Sequence, residues 1–236
     1  MMGRLMQAEF IKIKRKGFWF LAFLGALGVV AMQMVNYGVR KDYLFTQSED
    51  RWGYYLMNIH SFTPLAIVLG IVILTSFLSS VENETNAWKQ IIALPVSKRM
   101  VYLAKFTVLA IVLFISSFLM GIFTLLYGLY LGLGEAIPSA DLMQYSFYPY
   151  FASLAVLAFQ LWVATVSQNQ AIPITIGVVG VIFAYSASVL PDWMIWKWPS
   201  LMNEWNDPMI NVWWGLGAGA LLYLAGMLDF TRRDVK

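Results

Sequence analysis

Six long apolar runs, each free of Asp, Glu, Lys and Arg, constrain this chain more than any other feature. They lie near 17–36, 61–81, 106–131, 150–166, 172–190 and 212–228. A helix rises about 1.5 Å per residue, so about 20 residues cross a hydrocarbon core about 30 Å thick. An ionised side chain at the centre of such a helix costs about 2.5–3.5 kcal/mol. The 16 basic and 13 acidic side chains all lie outside the runs. The pattern predicts an all-α, polytopic membrane protein with six transmembrane helices.

Only 12% of the 236 residues are charged, and 60% are hydrophobic. Soluble domains carry about 25% charged residues. Six spans use most of the length, so a single transmembrane domain over 1–236 is expected, without a catalytic head or large ectodomain. The first run follows a basic segment as a signal peptide would. It is longer than a signal core and lacks a small-x-small cleavage site, so it reads as a retained anchor.

The distribution of charge sets the expected orientation. With the N-terminus inside, the cytoplasmic segments hold Arg4, Lys12, Lys14, Arg15, Lys16, Lys89, Lys98, Arg99, Lys105, Arg232, Arg233 and Lys236. The external segments hold Arg40, Lys41, Arg51 and Lys197. The positive-inside rule then places both termini in the cytoplasm. Bases scattered along membrane borders suit lipid headgroups and topology rather than nucleic acid. There is no cysteine, so disulfides and thiol chemistry are excluded. His60 stands without a second ligand nearby and makes no metal site.

Residues 1–16 put Met2, Met6, Phe10 and Ile13 on one helical face, with Glu9 beside it. Two readings fit: an amphipathic elbow helix in the interface, or a loosely ordered basic tail. The external stretch 191–211 holds Trp193, Trp196, Trp198 and Trp205 among three prolines. Tryptophan favours the headgroup layer, so this is either a set of short interfacial helices or a simple aromatic belt. Gly128/Gly132 and Gly215/Gly219 are small-residue pairs, and Gly177 lies one turn from Gly180. Such pairs permit close helix packing, within the chain or at a subunit seam.

Catalytic signatures are missing. There is no P-loop, no HExxH and no GxSxG. The spans carry no paired carboxylates for ion coupling. Gln33, Ser116 and Gln160 are the polar groups best placed to touch a substrate path, although an amide there also serves as interhelical glue. A membrane protein without its own energy source is either passive or worked by a partner.

The largest predicted inner loop is 82–105. Asn86 can cap a short helix, with Glu82 and Glu84 before its positive end. Trp88, Lys89, Ile91 and Leu94 follow, and Pro95 stops it. Ser97 can cap the next helix. On these residues alone the segment is either a docking helix or an ordinary linker.

The run WKQIIALPVSKRMVYLAK after Glu82 and Glu84 resembles the inner loop of ABC transporter permeases of the ABC-2 type. It is most similar to the small six-span permeases of the bacitracin-resistance and lantibiotic-immunity group. Leu94, Pro95, Val96, Ser97, Lys98 and Lys105 match, while Thr85-Asn86 stands where many relatives carry glycine-threonine. The resemblance implies a non-catalytic permease subunit of a bacterial plasma-membrane exporter. Glu84–Leu94 would be a coupling helix between the second and third spans, docking on a separate subunit that holds ATP and magnesium. It further implies a second permease subunit and an amphipathic peptide, antibiotic or lipid-like substrate. A different class, a membrane sensor or scaffold without transport, stays open on the residues alone.

Overall fold

The computed structural model describes residues 2–14, 17–84, 97–134, 136–167 and 169–232. The elements are α1 (Met2–Lys14), α2 (Phe18–Phe45), α3 (Arg51–Glu84), α4 (Lys98–Leu131), α5 (Ser139–Ala152), α6 (Leu154–Val166), α7 (Ala171–Tyr185) and α8 (Pro208–Arg232). No strand occurs among the described residues. The helix α3 is the centre: it packs against α2, α4, α5, α6 and α7. The most extensive single packing is α6 on α8.

Among the described residues, five helical stretches are long and apolar enough to cross a membrane: α2, most of α3, α4, α5 continued by α6, and α8. The run at 172–190 folds differently. Its helix, α7, has 15 residues, about 22 Å at a rise of about 1.5 Å per residue. The chain then turns at Ser186, whose N–H bonds to the Ile182 carbonyl at 3.0 Å, and tightens into a 3-10 turn at Ala187–Val189.

Two expected loops are largely helical. The helix α2 runs on to Phe45 through a kink at Arg40 (φ −127°, ψ 27°), and α3 starts at Arg51 rather than near 61. Apolar residues beyond the runs explain this. Tyr37 and Leu44 pack with Trp52, Tyr55, Leu131 and Leu133 in a second core, and Tyr37 meets Tyr55 edge-on at 5.6 Å. Asp50 caps α3 by accepting from Gly53 N at 2.9 Å. Similarly, α5 begins at Ser139 with Asp141 in its favourable first turn. Pro149 lies inside α5. The helix is interrupted at Ser153, whose hydroxyl bonds to the Tyr150 carbonyl at 2.8 Å and competes with the backbone ladder.

Other expectations hold locally. Ser97 caps α4 by accepting from Met100 N at 3.4 Å. Pro173 lies in the first turn of α7. Gly215 and Gly219 face the backbone of Ala152 and of Leu154–Ala155, which is packing within the chain. Gly128 lies against the Trp52 ring, but Gly132 does not pack: at φ +70° it ends α4 as a left-handed cap.

One end of the bundle gathers α1, the start of α4 and the end of α8. Tyr102 lies 5.5 Å from both Tyr223 and Phe230, ring to ring. The same end carries the close of α3.

Candidate functional site

Between α2, α3 and α4 lies a cleft of about 450 Å³, within the usual range of ligand pockets. Small residues open it. Gly25 and Gly28 on α2 face Ala66 and Gly70 on α3, with Ser116, Ser117 and Met120 of α4 behind. A Cβ at Gly28 would meet nothing within 4 Å. None of the described residues lining the cleft is charged. Two of its hydroxyls are turned towards backbone. Ser116 Oγ donates to the Ala22 carbonyl at 2.8 Å, and Thr63 Oγ1 to the Ile59 carbonyl at 3.1 Å. The arrangement can hold an apolar chain, and it presents no group for proton transfer.

The three residues expected on a substrate path are split apart. Ser116 lines the cleft. Gln33 lies outside it, donating to the Asn58 carbonyl at 2.8 Å and accepting from Asn36 at 3.2 Å, so it ties α2 to α3. Gln160 donates to the Pro173 carbonyl at 2.6 Å and ties α6 to α7. Sequence reasoning missed Gly25, Gly28, Ala66 and Gly70. Their spacing of three or four residues was the available signal.

The expected outer-interface tryptophans also separate. Trp193 and Trp205 are 72% and 56% exposed, whereas Trp198 is 6% exposed. Trp196 lies edge-on to Phe159 and Phe183, 5.7 Å from each, and covers Gly180. The segment after α7 is a folded cap. Trp198 Nε1 donates to the Asp192 carbonyl at 2.6 Å, and Lys197 Nζ meets Asp192 Oδ1 at 2.6 Å. Glu204 N bonds to Asp192 Oδ2 at 3.0 Å. Lys197 and this amide hold the Asp192 carboxyl below its ordinary range. Buried Asn211 accepts from Asn203 and reaches the Trp198 and Met202 carbonyls at 3.3 and 3.4 Å.

At the end that carries α1, Glu9 and Lys105 are 4% and 0% exposed. Glu9 Oε1 lies 2.6 Å from Lys12 Nζ and 3.9 Å from Lys105 Nζ. Nearby, Trp162 Nε1 donates to Asp229 Oδ2 at 2.9 Å and joins α6 to α8. The side chains of Glu82 and Glu84, and all of Asn86, Trp88, Lys89, Ile91, Leu94 and Pro95, lie outside the described residues. The expected coupling helix falls there too. Among the described residues no group of acidic or histidine side chains could hold a metal ion.

No curated protein and no solved structure matches the chain. A family model described as ABC-2 family transporter protein matches residues 5–184. Permeases of this family are generally non-catalytic and act with an ABC ATP-binding partner. The matched region takes in α2 to α7 and with them the whole cleft. The chain therefore belongs to the ABC-2 transporter family and is a multi-pass membrane permease subunit of an ABC transporter.

Proposed function

We propose that two permease subunits, this chain with a second copy or a sister, export an amphipathic peptide antibiotic or lipid-like substrate across a bacterial plasma membrane. The observation that carries the reading is the uncharged cleft between α2, α3 and α4, which suits an acyl chain or apolar side chains and nothing ionised. Both termini lie in the cytoplasm, in keeping with the weight of basic residues on their side. The short α7 completes a sixth crossing with the turn that follows it. The elbow is α1, seated in the interface.

Work arrives through 82–95. Asn86 caps the coupling helix with Glu82 and Glu84 ahead of its positive end, Trp88, Lys89, Ile91 and Leu94 form its docking face, and Pro95 ends it. ATP and magnesium stay on the partner. A helix-in-groove contact of this kind converts closure of the ATP-binding subunits into a population shift of the spans. The resemblance of the loop to the bacitracin-resistance and lantibiotic-immunity group supports the substrate class.

The test is co-purification followed by reconstitution in phospholipid vesicles. A stoichiometric ATP-binding subunit and ATP-dependent movement of a fluorescent lipopeptide are expected. Recovery of a kinase or cell-wall enzyme in place of that subunit would overturn the reading in favour of a sensor or scaffold.

A further inference from the structure

We propose that Glu9 and Lys105 are positioning residues that make α1 move with the first turns of α4. The proposal rests on the permease reading: displacement of the segment joining α3 to α4 would then reach α1 as well as the spans.

The pair joins residues far apart in sequence at the base of the bundle. Lys105 lies about two turns past the Ser97 cap, on the stretch of α4 that leaves the joining segment. One turn earlier, Tyr102 packs on Tyr223 and Phe230 of α8. The start of α4 therefore touches both the first and the last helix. On its other flank, α1 brings Met6, Phe10 and Ile13 onto the same core as Tyr102 and Leu109. Phe10 also stacks on Trp19 of α2 at 6.3 Å.

Stability alone does not account for charge here. Burying two ions costs several kcal/mol each, and an apolar pair of similar volume packs as well or better. What an ion pair adds is reach. Coulomb attraction falls as the inverse of distance, whereas a dispersion contact loses a quarter to a half of its depth over a gap of about 0.5–1 Å. Glu9 and Lys105, already 3.9 Å apart, stay attracted while α4 shifts, where packed methyl groups would let go. Lys12, at 2.6 Å on the same Glu9 oxygen, holds the carboxylate in place. Gly17, at φ +78°, provides a left-handed joint at the start of α2 that a residue with a side chain resists.

The absence of cysteine allows a direct measurement. Exposed Lys14 and Arg99 are replaced as Lys14→Cys and Arg99→Cys, spin-labelled, and their separation is read in the reconstituted complex with its ATP-binding subunit. In otherwise unmodified protein the separation should stay the same with and without a non-hydrolysable ATP analogue. With Glu9→Gln or Lys105→Met it should shift on adding the analogue. Unchanged behaviour in both single variants would overturn the proposal. So would a nucleotide-dependent separation in the unmodified protein, or invariance in the apolar pair Glu9→Met with Lys105→Met, which keeps packing without charge. If no ATP-binding subunit accompanies the unmodified chain, the permease reading fails, and this proposal with it.

Discussion

His60 on α3 lies 2.8 Å through Nε2 from the carbonyl of Ser200, 140 positions further along the chain. A carbonyl can only accept, so Nε2 carries the proton and the bond fastens the folded cap to the central helix. Tyr145 covers the imidazole at a ring separation of 5.0 Å. His60→Phe keeps that ring contact and leaves the Ser200 carbonyl unpaired, a loss of about 1–3 kcal/mol. Limited proteolysis within 190–207 should become faster, together with a lower thermal midpoint in detergent.

Gly215 should respond to enlargement differently from Gly217 of the same helix and from Gly28 of α2. Gly215→Leu drives a side chain into the backbone of Phe151 and Ala152, and overpacking of this kind costs about 1–3 kcal/mol or more. Gly217→Leu, where nothing lies within 4 Å, should be neutral. Gly28→Leu should fold normally and fill the cleft, so vesicles should lose lipopeptide movement while the purified protein keeps its thermal midpoint.

Gln160 separates glue from substrate contact. Gln160→Leu removes the bond to the Pro173 carbonyl, and hydrogen bonds between membrane helices are worth about 0.6–2 kcal/mol. The expected result is lower resistance to denaturation with an unchanged apparent KM for lipopeptide. A raised KM at unchanged stability would place Gln160 on the path instead.

The cap should carry a pH dependence from Asp192. Its folded carboxyl titrates below the ordinary value of 3.8, chiefly because Lys197 hydrogen-bonds to it. A depressed carboxyl stabilises the fold at pH above its unfolded value, and that contribution is lost as pH falls through the folded one. The cap should therefore be insensitive across neutral pH and loosen only below about 3.8. Hydrogen exchange over 190–207 should show this in the native protein, and Asp192→Asn should abolish the step while raising exchange at neutral pH.

The coupling segment is tested by Trp88→Ala and Pro95→Ala. Each should lower recovery of the ATP-binding subunit while leaving membrane insertion intact. Full recovery together with wild-type transport in both would remove 82–95 from the docking role.

The membrane class was legible because it rests on composition at single positions: an uncharged run of about 20 residues has one economical place in a cell. Ser97 as a cap was legible for the same reason, since it acts on its own backbone. The cleft was not, because it exists only where Gly25 and Gly28 of one helix come to face Ala66 and Gly70 of another. Nor was the ion pair. Glu9 looked like a flaw in an amphipathic helix until Lys105, 96 positions away, came to lie against it.

Lengths of helix divided the same way. The runs alone marked where hydrocarbon can be crossed, but Tyr37, Leu44, Trp52 and Tyr55 carried α2 and α3 well past those limits by packing on each other. Sequence by itself thus determined that the chain is helical and spans a membrane, because transfer energies are summed residue by residue. Tertiary structure alone decided which glycines pack or cap, which tryptophans are covered, and where a cleft remains, because those depend on pairs of residues that meet only when the helices do.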